Sequence, residues 1–232
     1  MILFDCDGVL LDSEVIADRL LFRLLSDLRE NTQSISNISD PVVLEEWIVD
    51  QCGQTDENIV HKFANITQIS PPQDFLKDFQ STLLKTLSLE VQPIIGIQEL
   101  LSSLGENWTV ASNSSFKRLR ISLKKAGLYN LCESRLFSSE QVSRPKPAPD
   151  LHLHIAKQYD VLPDECLVVE DSPTGVTAGL QAGMRVVGFT AGSHITPKHV
   201  QKLKKAGAEN IFKNVEELSA FLKDSQDGSK FI

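Results

Sequence analysis

The sequence contains few cysteines and no run of basic residues, and both shortages narrow what the protein can bind. Its four cysteines stand at positions 6, 52, 132 and 166 of 232 residues, without the paired spacing typical of a structural zinc site. Acidic residues outnumber basic ones by 31 to 23, which gives a net charge of −8, and Lys and Arg are scattered. We therefore expect a reduced protein that does not bind nucleic acid.

Long apolar segments are absent as well. No stretch approaches the roughly 20 apolar residues that cross a bilayer, and the first residues lack the basic region and apolar stretch of a secretion signal. The sequence thus predicts a cytoplasmic protein that does not enter the membrane. Its hydrophobic content of 41% is enough for a sizeable core, in one large domain or one domain with a smaller insert.

The pattern of the chain changes twice. An apolar segment at residues 2–4 predicts a strand, but residues 14–92 show only helical periodicity, and from residue 93 strands and helices alternate. This order predicts an α/β protein with a doubly wound, mostly parallel sheet. We assign residues 1–13 and 93–225 to the core domain, residues 14–92 to a helical insert and residues 226–232 to a loose tail.

Ligands of such sheets bind beyond the carboxyl ends of the strands. Further strands are predicted at residues 108–112, 135–137, 166–170, 185–189 and 210–212, with helices at about 96–104, 115–126, 149–159, 174–182 and 197–206. Each polar motif described next falls at one of these strand ends.

Two aspartates follow the first strand. Asp5 and Asp7 are separated by one residue and precede Gly8. Residues two apart on a strand point to the same side, so both carboxylates converge at one edge of the sheet. Two negative charges that close require a cation or a shared proton, although an ordinary Asp-Gly turn explains the same residues.

Three later segments add polar groups, and each also has a purely structural interpretation. Ser112 and Asn113 end an apolar strand, where Ser114 or Ser115 would cap the next helix. Lys146 lies among three prolines before a helix, which holds its backbone more tightly than a solvated lysine requires. Glu170 and Asp171 end another apolar strand and could simply cap a helix.

Taken together, these segments resemble the haloacid dehalogenase-like superfamily of phosphohydrolases. The first motif of that family matches Asp5-Cys6-Asp7-Gly8-Val9, the second falls on Ser112, the third on Lys146 and the fourth on Glu170 and Asp171. The resemblance implies that Asp5 attacks phosphorus and forms an aspartyl-phosphate, and that Asp7 is the general acid and base, with a pKa closer to neutrality than that of a free carboxyl group. Ser112 and Asn113 would bind the phosphate, and Lys146 would neutralise charge.

The same resemblance implies a Mg²⁺ cofactor. Its ligands would be the side chains of Asp5 and Asp171 and the main-chain carbonyl of Asp7, with Glu170 bound directly or through water. Arg144 is a further candidate contact of the substrate.

The helical insert resembles the cap of the β-phosphoglucomutase-like branch of the family. Gly53 and Thr55 fit its substrate-facing cap loop, and Thr55 could equally cap the next helix. Ala17 and Asp56 stand where mutases of this branch carry a histidine and a basic residue, which favours hydrolysis over phosphoryl transfer within a sugar.

We therefore predict a Mg²⁺-dependent phosphatase that acts on a small phosphorylated metabolite, such as a sugar or polyol phosphate. A phosphosugar mutase and a non-catalytic binding module that retains the fold are the alternatives. The sequence leaves the identity of the substrate and the oligomeric state open.

Overall fold

A six-stranded parallel sheet forms the centre of the molecule. The computed structural model describes residues 1–32 and 40–226, and it orders the strands β3-β2-β1-β4-β5-β6. The strands are β1 (Ile2–Phe4), β2 (Trp108–Ser112), β3 (Leu136–Ser138), β4 (Leu167–Glu170), β5 (Arg185–Phe189) and β6 (Ile211–Phe212). The α/β fold predicted from the sequence is confirmed.

The first strand lies at the centre because its residues are apolar on both faces. Leu3 pairs with Thr109 of β2 on one side and with Val168 of β4 on the other, and all three residues of β1 are buried. The strand order changes direction between β1 and β4, and in doubly wound sheets a crevice opens at that point. The fold thereby brings the residues that follow β1 and β4 to one place.

Eleven α-helices lie within the described residues. Four are inserted between β1 and β2: α1 (Glu14–Thr32), α2 (Pro41–Val49), α3 (Asp56–Thr67) and α4 (Phe75–Glu90). Seven others accompany the sheet: α5 (Ile97–Ser103), α6 (Phe116–Lys125), α7 (Tyr129–Cys132), α8 (Asp150–Gln158), α9 (Pro173–Gln181), α10 (Pro197–Ala206) and α11 (Val215–Gln226).

The helical insert is joined to the sheet by two adjacent backbone segments. The N–H of Asp12 donates to the carbonyl of Gln92 at 3.0 Å, and the N–H of Ile94 donates to the carbonyl of Leu10 at 2.9 Å. The chain therefore leaves the sheet and returns to it through two antiparallel segments in contact. These hydrogen bonds fix the base of the insert.

The insert also contacts the sheet side of the molecule directly. Gly53 lies so close to Ser172 that a Cβ on Gly53 would come within 2.5 Å of the serine hydroxyl. The carboxylate of Asp50 forms ion pairs with Lys198 at 2.6 Å and with Lys202 at 2.7 Å, and both lysines are on α10. The insert is thus seated against the carboxyl ends of the strands.

Some predicted elements differ from the observed ones. Helices α7 and α11 were not predicted, and β3 begins one residue later than expected, at Leu136. Gln226, assigned to the loose tail, is the last residue of α11, and residues 227–232 lie outside the described residues. None of the helices in the described part of the chain has the length and apolar character needed to cross a membrane.

Candidate active site

The polar residues at the strand ends line a single cavity of about 1090 Å³ between the sheet and the insert. Asp5 follows β1, Ser112 ends β2, and Glu170 and Asp171 stand at the end of β4. Lys146 lies on the segment between β3 and α8 and completes this wall of the cavity. The structure therefore brings together sequence motifs that are as far apart in the chain as Asp5 and Asp171.

Lys146 is the central cation of this group. Only 5% of the residue is exposed, and its Nζ donates to Asp5 Oδ1 at 2.7 Å, Glu170 Oε1 at 2.5 Å and the carbonyl of Ala111 at 2.7 Å. Burial alone would lower its pKa, but the two carboxylates outweigh burial and raise it. Lys146 is therefore not an ordinary solvated surface lysine.

The backbone of Lys146 is held by Asn113. The amide of Asn113 donates to the carbonyl of Lys146 at 3.1 Å and accepts its N–H at 2.9 Å. These hydrogen bonds position the lysine, and Asn113 also lines the cavity, so its binding of phosphate stays a prediction. Arg144, the further candidate contact, instead forms an exposed two-point ion pair with Asp150 at 2.6 and 3.0 Å and is not among the residues that line the cavity.

The carboxylate of Asp5 is in an unfavourable position for a negative charge. Burial, only partly opposed by Lys146, raises the pKa of Asp5 well above its usual range, and Glu170, Asp171 and Asp7 raise it further. One oxygen each of Asp5, Glu170 and Asp171 lie within 4.8 Å of one another. Carboxylate oxygens are the ligands that Mg²⁺ prefers, so these residues fit the predicted cation.

Asp7 differs from its prediction. Its carboxylate accepts hydrogen bonds from Ser13 Oγ at 2.5 Å, Ser114 Oγ at 2.6 Å and Arg118 at 3.0 Å. Burial acts to raise the pKa of Asp7, but the Arg118 guanidinium and the two hydroxyl groups outweigh it and lower the pKa below its usual value. The prediction that the pKa of Asp7 lies closer to neutrality is therefore wrong, because the sequence does not indicate that Arg118 contacts this carboxylate.

The loop residues of the insert have two roles. Thr55 accepts a hydrogen bond from the Asn58 N–H at 3.3 Å and so caps α3, and Gly53 and Thr55 also line the cavity. Asp56 lines it too, and burial raises the pKa of this carboxyl group, although Arg118 partly opposes the shift. Thr55 therefore both caps α3 and lines the cavity.

Serines cap the two helices for which the sequence left the choice open. Ser115 accepts from the Arg118 N–H at 3.3 Å and caps α6, while its neighbour Ser114 is free to contact Asp7. Ser172 caps α9 by accepting the Gly175 N–H at 3.0 Å. Glu170 and Asp171 are thus not used as caps.

The site's composition agrees with comparisons to known proteins. A family model described as haloacid dehalogenase-like hydrolase matches residues 2–189. The chain belongs to this family. A solved haloacid dehalogenase-like protein of unknown function from Agrobacterium tumefaciens is 35% identical with a TM-score of 0.80, and covers 97% of this chain and 98% of its own.

Two curated relatives of this haloacid dehalogenase-like hydrolase have different activities in their names. The 6-phosphogluconate phosphatase of Escherichia coli is 29% identical over 84% of this chain and 85% of its own length. The β-phosphoglucomutase of Bacillus subtilis is 26% identical over 82% of this chain and 83% of its own length. The relatives of this chain therefore include both a sugar-phosphate phosphatase, the predicted activity, and a phosphosugar mutase, its main alternative.

The haloacid dehalogenase-like site contains residues that sequence reasoning missed. Arg118 lies between acidic groups with 15% of its side chain exposed, and these groups raise its pKa although burial acts in the opposite direction. Glu14 also lines the cavity, and burial together with nearby acidic residues raises its pKa to about 8. Neither residue belongs to a recognisable spacing pattern, but each lies in the first turn of a helix next to a motif.

Two glycines allow the acidic residues to approach the site closely. A Cβ on Gly8, whose φ is +81°, would overlap Oδ2 of Asp171, and a Cβ on Gly175 would overlap the carboxylate of Glu170. Any larger residue at either position would displace a carboxylate. These glycines therefore belong to the architecture of the site in this haloacid dehalogenase-like hydrolase.

Proposed function

We propose that this protein is a Mg²⁺-dependent phosphatase that hydrolyses a small sugar or polyol phosphate through an aspartyl-phosphate on Asp5. The observation that carries the proposal is the contact of Lys146 Nζ with Asp5 Oδ1 at 2.7 Å in a buried site. A carboxylate beside a fixed ammonium group is a nucleophile whose repulsion of an approaching phosphate dianion is reduced.

The chemistry proceeds in two displacements. An oxygen of Asp5 bonds to phosphorus, the ester oxygen leaves with its electron pair, and Asp7 gives that alkoxide a proton. Water then attacks the phosphorus of the aspartyl-phosphate, Asp7 takes a proton from the water, and the bond to Asp5 breaks to release inorganic phosphate. Ser112 would donate a hydrogen bond to a phosphoryl oxygen from the end of β2.

The environment of Asp7 suits the second step directly. Arg118, Ser13 and Ser114 favour its ionised form, which is the form that accepts a proton from water. A bound phosphate adds negative charge beside Asp7, and like charge raises the pKa of a carboxyl group. The substrate itself therefore favours the protonated form that the first step needs.

The cation would be held by the side chains of Asp5 and Asp171, the main-chain carbonyl of Asp7 and, directly or through water, Glu170. When bound, Mg²⁺ supplies positive charge that offsets the repulsion between the carboxylates and the phosphate. The raised pKa of Asp5 supports this assignment, because an added cation would restore the ionised nucleophile.

The insert supports hydrolysis rather than transfer between two positions of a sugar. Ala17 and the carboxylate of Asp56 occupy the positions at which a mutase would need an imidazole and a cation. Asp56, Glu14 and Gln80 instead line the cavity with hydrogen-bonding groups, which suit the hydroxyl groups of a sugar or polyol. We infer that residues 14–92 act as a cap that closes over such a substrate, with residues 10–12 and 92–94 at its base.

The test is release of inorganic phosphate from a panel of sugar, sugar-acid and polyol phosphates with Mg²⁺. We expect turnover of at least one compound, its loss after chelation of the metal, and a decrease of about 10³-fold or more in Asp5→Asn, because the nucleophile is removed. The matched control is Asp164→Asn, the same substitution at an exposed residue outside the cavity.

Two results would contradict the proposal. Asp5→Asn with full phosphatase activity would exclude the aspartyl-phosphate mechanism. Conversion of a sugar 1-phosphate into its 6-phosphate without net phosphate release would assign the protein to the mutases instead.

A further inference from the structure

A second group of side chains that could bind a metal lies next to Asp171, and its members are not among the residues that line the cavity. Cys52, His194 and His199 each offer one donor atom, and these three atoms lie within 4.8 Å of one another. All three residues are buried, with 9%, 5% and 3% of their surfaces exposed. Asp171 is adjacent, with its Oδ2 at 2.9 Å from His194 Nε2 and 3.9 Å from Cys52 Sγ.

His194 has little free space around its ring. Its ring is enclosed by two glycines, since a Cβ on Gly192 would come within 2.7 Å of Nδ1 and a Cβ on Gly8 within 2.9 Å of Cε1. Within the described residues neither ring nitrogen makes a well-directed hydrogen bond. Its Nε2 instead forms a buried ion pair with Asp171 Oδ2 at 2.9 Å, so the ring nitrogen and the carboxylate already converge at a point where a cation could replace the shared proton.

His199 is oriented by the backbone. Its Nε2 lies 2.5 Å from the carbonyl oxygen of Asp171, and its ring stands perpendicular to that of His194 at a centroid distance of 5.4 Å. Metal-binding histidines commonly have one ring nitrogen fixed by a backbone carbonyl or a carboxylate. This contact gives the group the supporting hydrogen bond that such a site requires.

We propose that Cys52, His194 and His199, with Asp171 as the fourth ligand, form a second metal site for a thiophilic divalent cation such as Zn²⁺. Thiolate and imidazole donors suit Zn²⁺, whereas Mg²⁺ prefers oxygen. Zn–S and Zn–N bonds of about 2.3 and 2.0–2.1 Å place tetrahedral donors roughly 3.5 Å apart. The donors thus need to contract by about 1 Å, and binding releases to solvent both the thiol proton of Cys52 and the ring proton through which His194 pairs with Asp171.

The position of this site has two consequences. Cys52 belongs to the helical insert, whereas both histidines belong to the segment that follows β5, so a bound cation joins the insert to the sheet. Asp171 is also a ligand of the proposed Mg²⁺ site. Zn²⁺ therefore opposes movement of the insert and, if the proposed function is right, inhibits the phosphatase by engaging Asp171.

Co²⁺ provides a direct test, because thiolate-bound Co²⁺ absorbs in the near ultraviolet and oxygen-bound Co²⁺ does not. We expect the wild-type protein to bind one Co²⁺ with the thiolate band, and Zn²⁺ to abolish that band by competition. Cys52→Ser should lose the band and weaken Zn²⁺ binding by more than the 10- to 100-fold typical of a lost supporting residue. His199→Asn should weaken binding similarly.

Two control variants locate the signal. Cys132→Ser removes a buried thiol elsewhere and should keep the band. Asp5→Asn removes an oxygen ligand of the Mg²⁺ site and should keep it as well. Absence of a thiolate band in the wild-type protein would overturn the proposal whatever the folding of the variants, as would a band that persists in Cys52→Ser. Neither result depends on phosphatase activity, so failure of the proposed function is detected separately.

Discussion

Gly175→Ala tests whether close packing against Glu170, at the end of β4, contributes to the free energy of unfolding. Alanine in a helix is normally favoured over glycine by about 1 kcal/mol. At Gly175, in the first turn of α9, the added Cβ would overlap the Oε1 and Cδ atoms of Glu170, which is fully buried. The glutamate would have to move away from Lys146 and from the Ser172 N–H, its hydrogen-bond donor at 3.2 Å.

The expected free-energy change is the sum of opposing effects. Overpacking in a core costs roughly 1–3 kcal/mol, and separating a buried ion pair costs roughly 3–5 kcal/mol when one partner is lost completely. Glu170 is displaced rather than removed, and the helix gains about 1 kcal/mol. We therefore expect Gly175→Ala to lower the free energy of unfolding by roughly 2–5 kcal/mol.

Urea denaturation followed by circular dichroism measures this change, and a double-mutant cycle with Glu170→Ala isolates its cause. In the Glu170→Ala background the overlapping atoms are absent, so Gly175→Ala should become neutral or stabilise the protein by up to about 1 kcal/mol. An equal loss of stability in both backgrounds would refute the reasoning, because the cost would then not arise from contact with Glu170.

Three further predictions concern ionisable groups. Burial raises the pKa of Glu14 from 4.5 to about 8, so between these pH values the folded protein retains a proton that the unfolded chain releases. The free energy of unfolding therefore falls by roughly 2–5 kcal/mol as pH rises from 5 to 8. Urea titrations at the two pH values should show this fall in the wild-type protein and not in Glu14→Gln. Asp50 is partly buried, which acts to raise its pKa, but its lysine partners lower it below 3.8, so its stabilisation is present above that pH and is lost as pH falls through the lowered pKa. The side chains of Asp50 and Lys202 are each about a third exposed, so water screens their attraction. Asp50→Asn should therefore lower the free energy of unfolding by less than about 1 kcal/mol at neutral pH and leave it unchanged in high salt. Burial raises the pKa of Cys132 to about 12, so iodoacetamide at pH 8 should modify this thiol only after unfolding, as peptide mass spectrometry would detect; modification of the folded protein at the rate of a free thiol would contradict the burial.

The sheet and its motifs could be predicted because their signals are local. Apolar segments such as 108–112 and 166–170 are long enough to identify buried strands, and parallel strands place their carboxyl ends at one edge. The meeting of Asp5, Ser112 and Asp171 follows from that geometry. Helix α11 was missed because its sequence is amphipathic but lies next to a polar, low-complexity tail.

The partners of the acidic residues could not be predicted in the same way. Arg118 reaches Asp7 from the first turn of α6, and His194 reaches Asp171 from the segment after β5. Both contacts depend on how elements pack in three dimensions, and no spacing in the sequence indicates them. The pKa of Asp7 was therefore predicted with the wrong direction, since its sign depends on Arg118.

The central position of β1 has a consequence for synthesis of the protein on the ribosome. Ile2, the first residue of this strand, pairs with Trp108 and Leu167, so the strand that is made first has no partner until β2 emerges. At about 5–20 residues per second, this apolar strand stays unpaired for roughly 5–20 s. During that interval it is an exposed edge that favours aggregation or chaperone binding, and Asp5, the proposed nucleophile, cannot be positioned until β4 has also been translated.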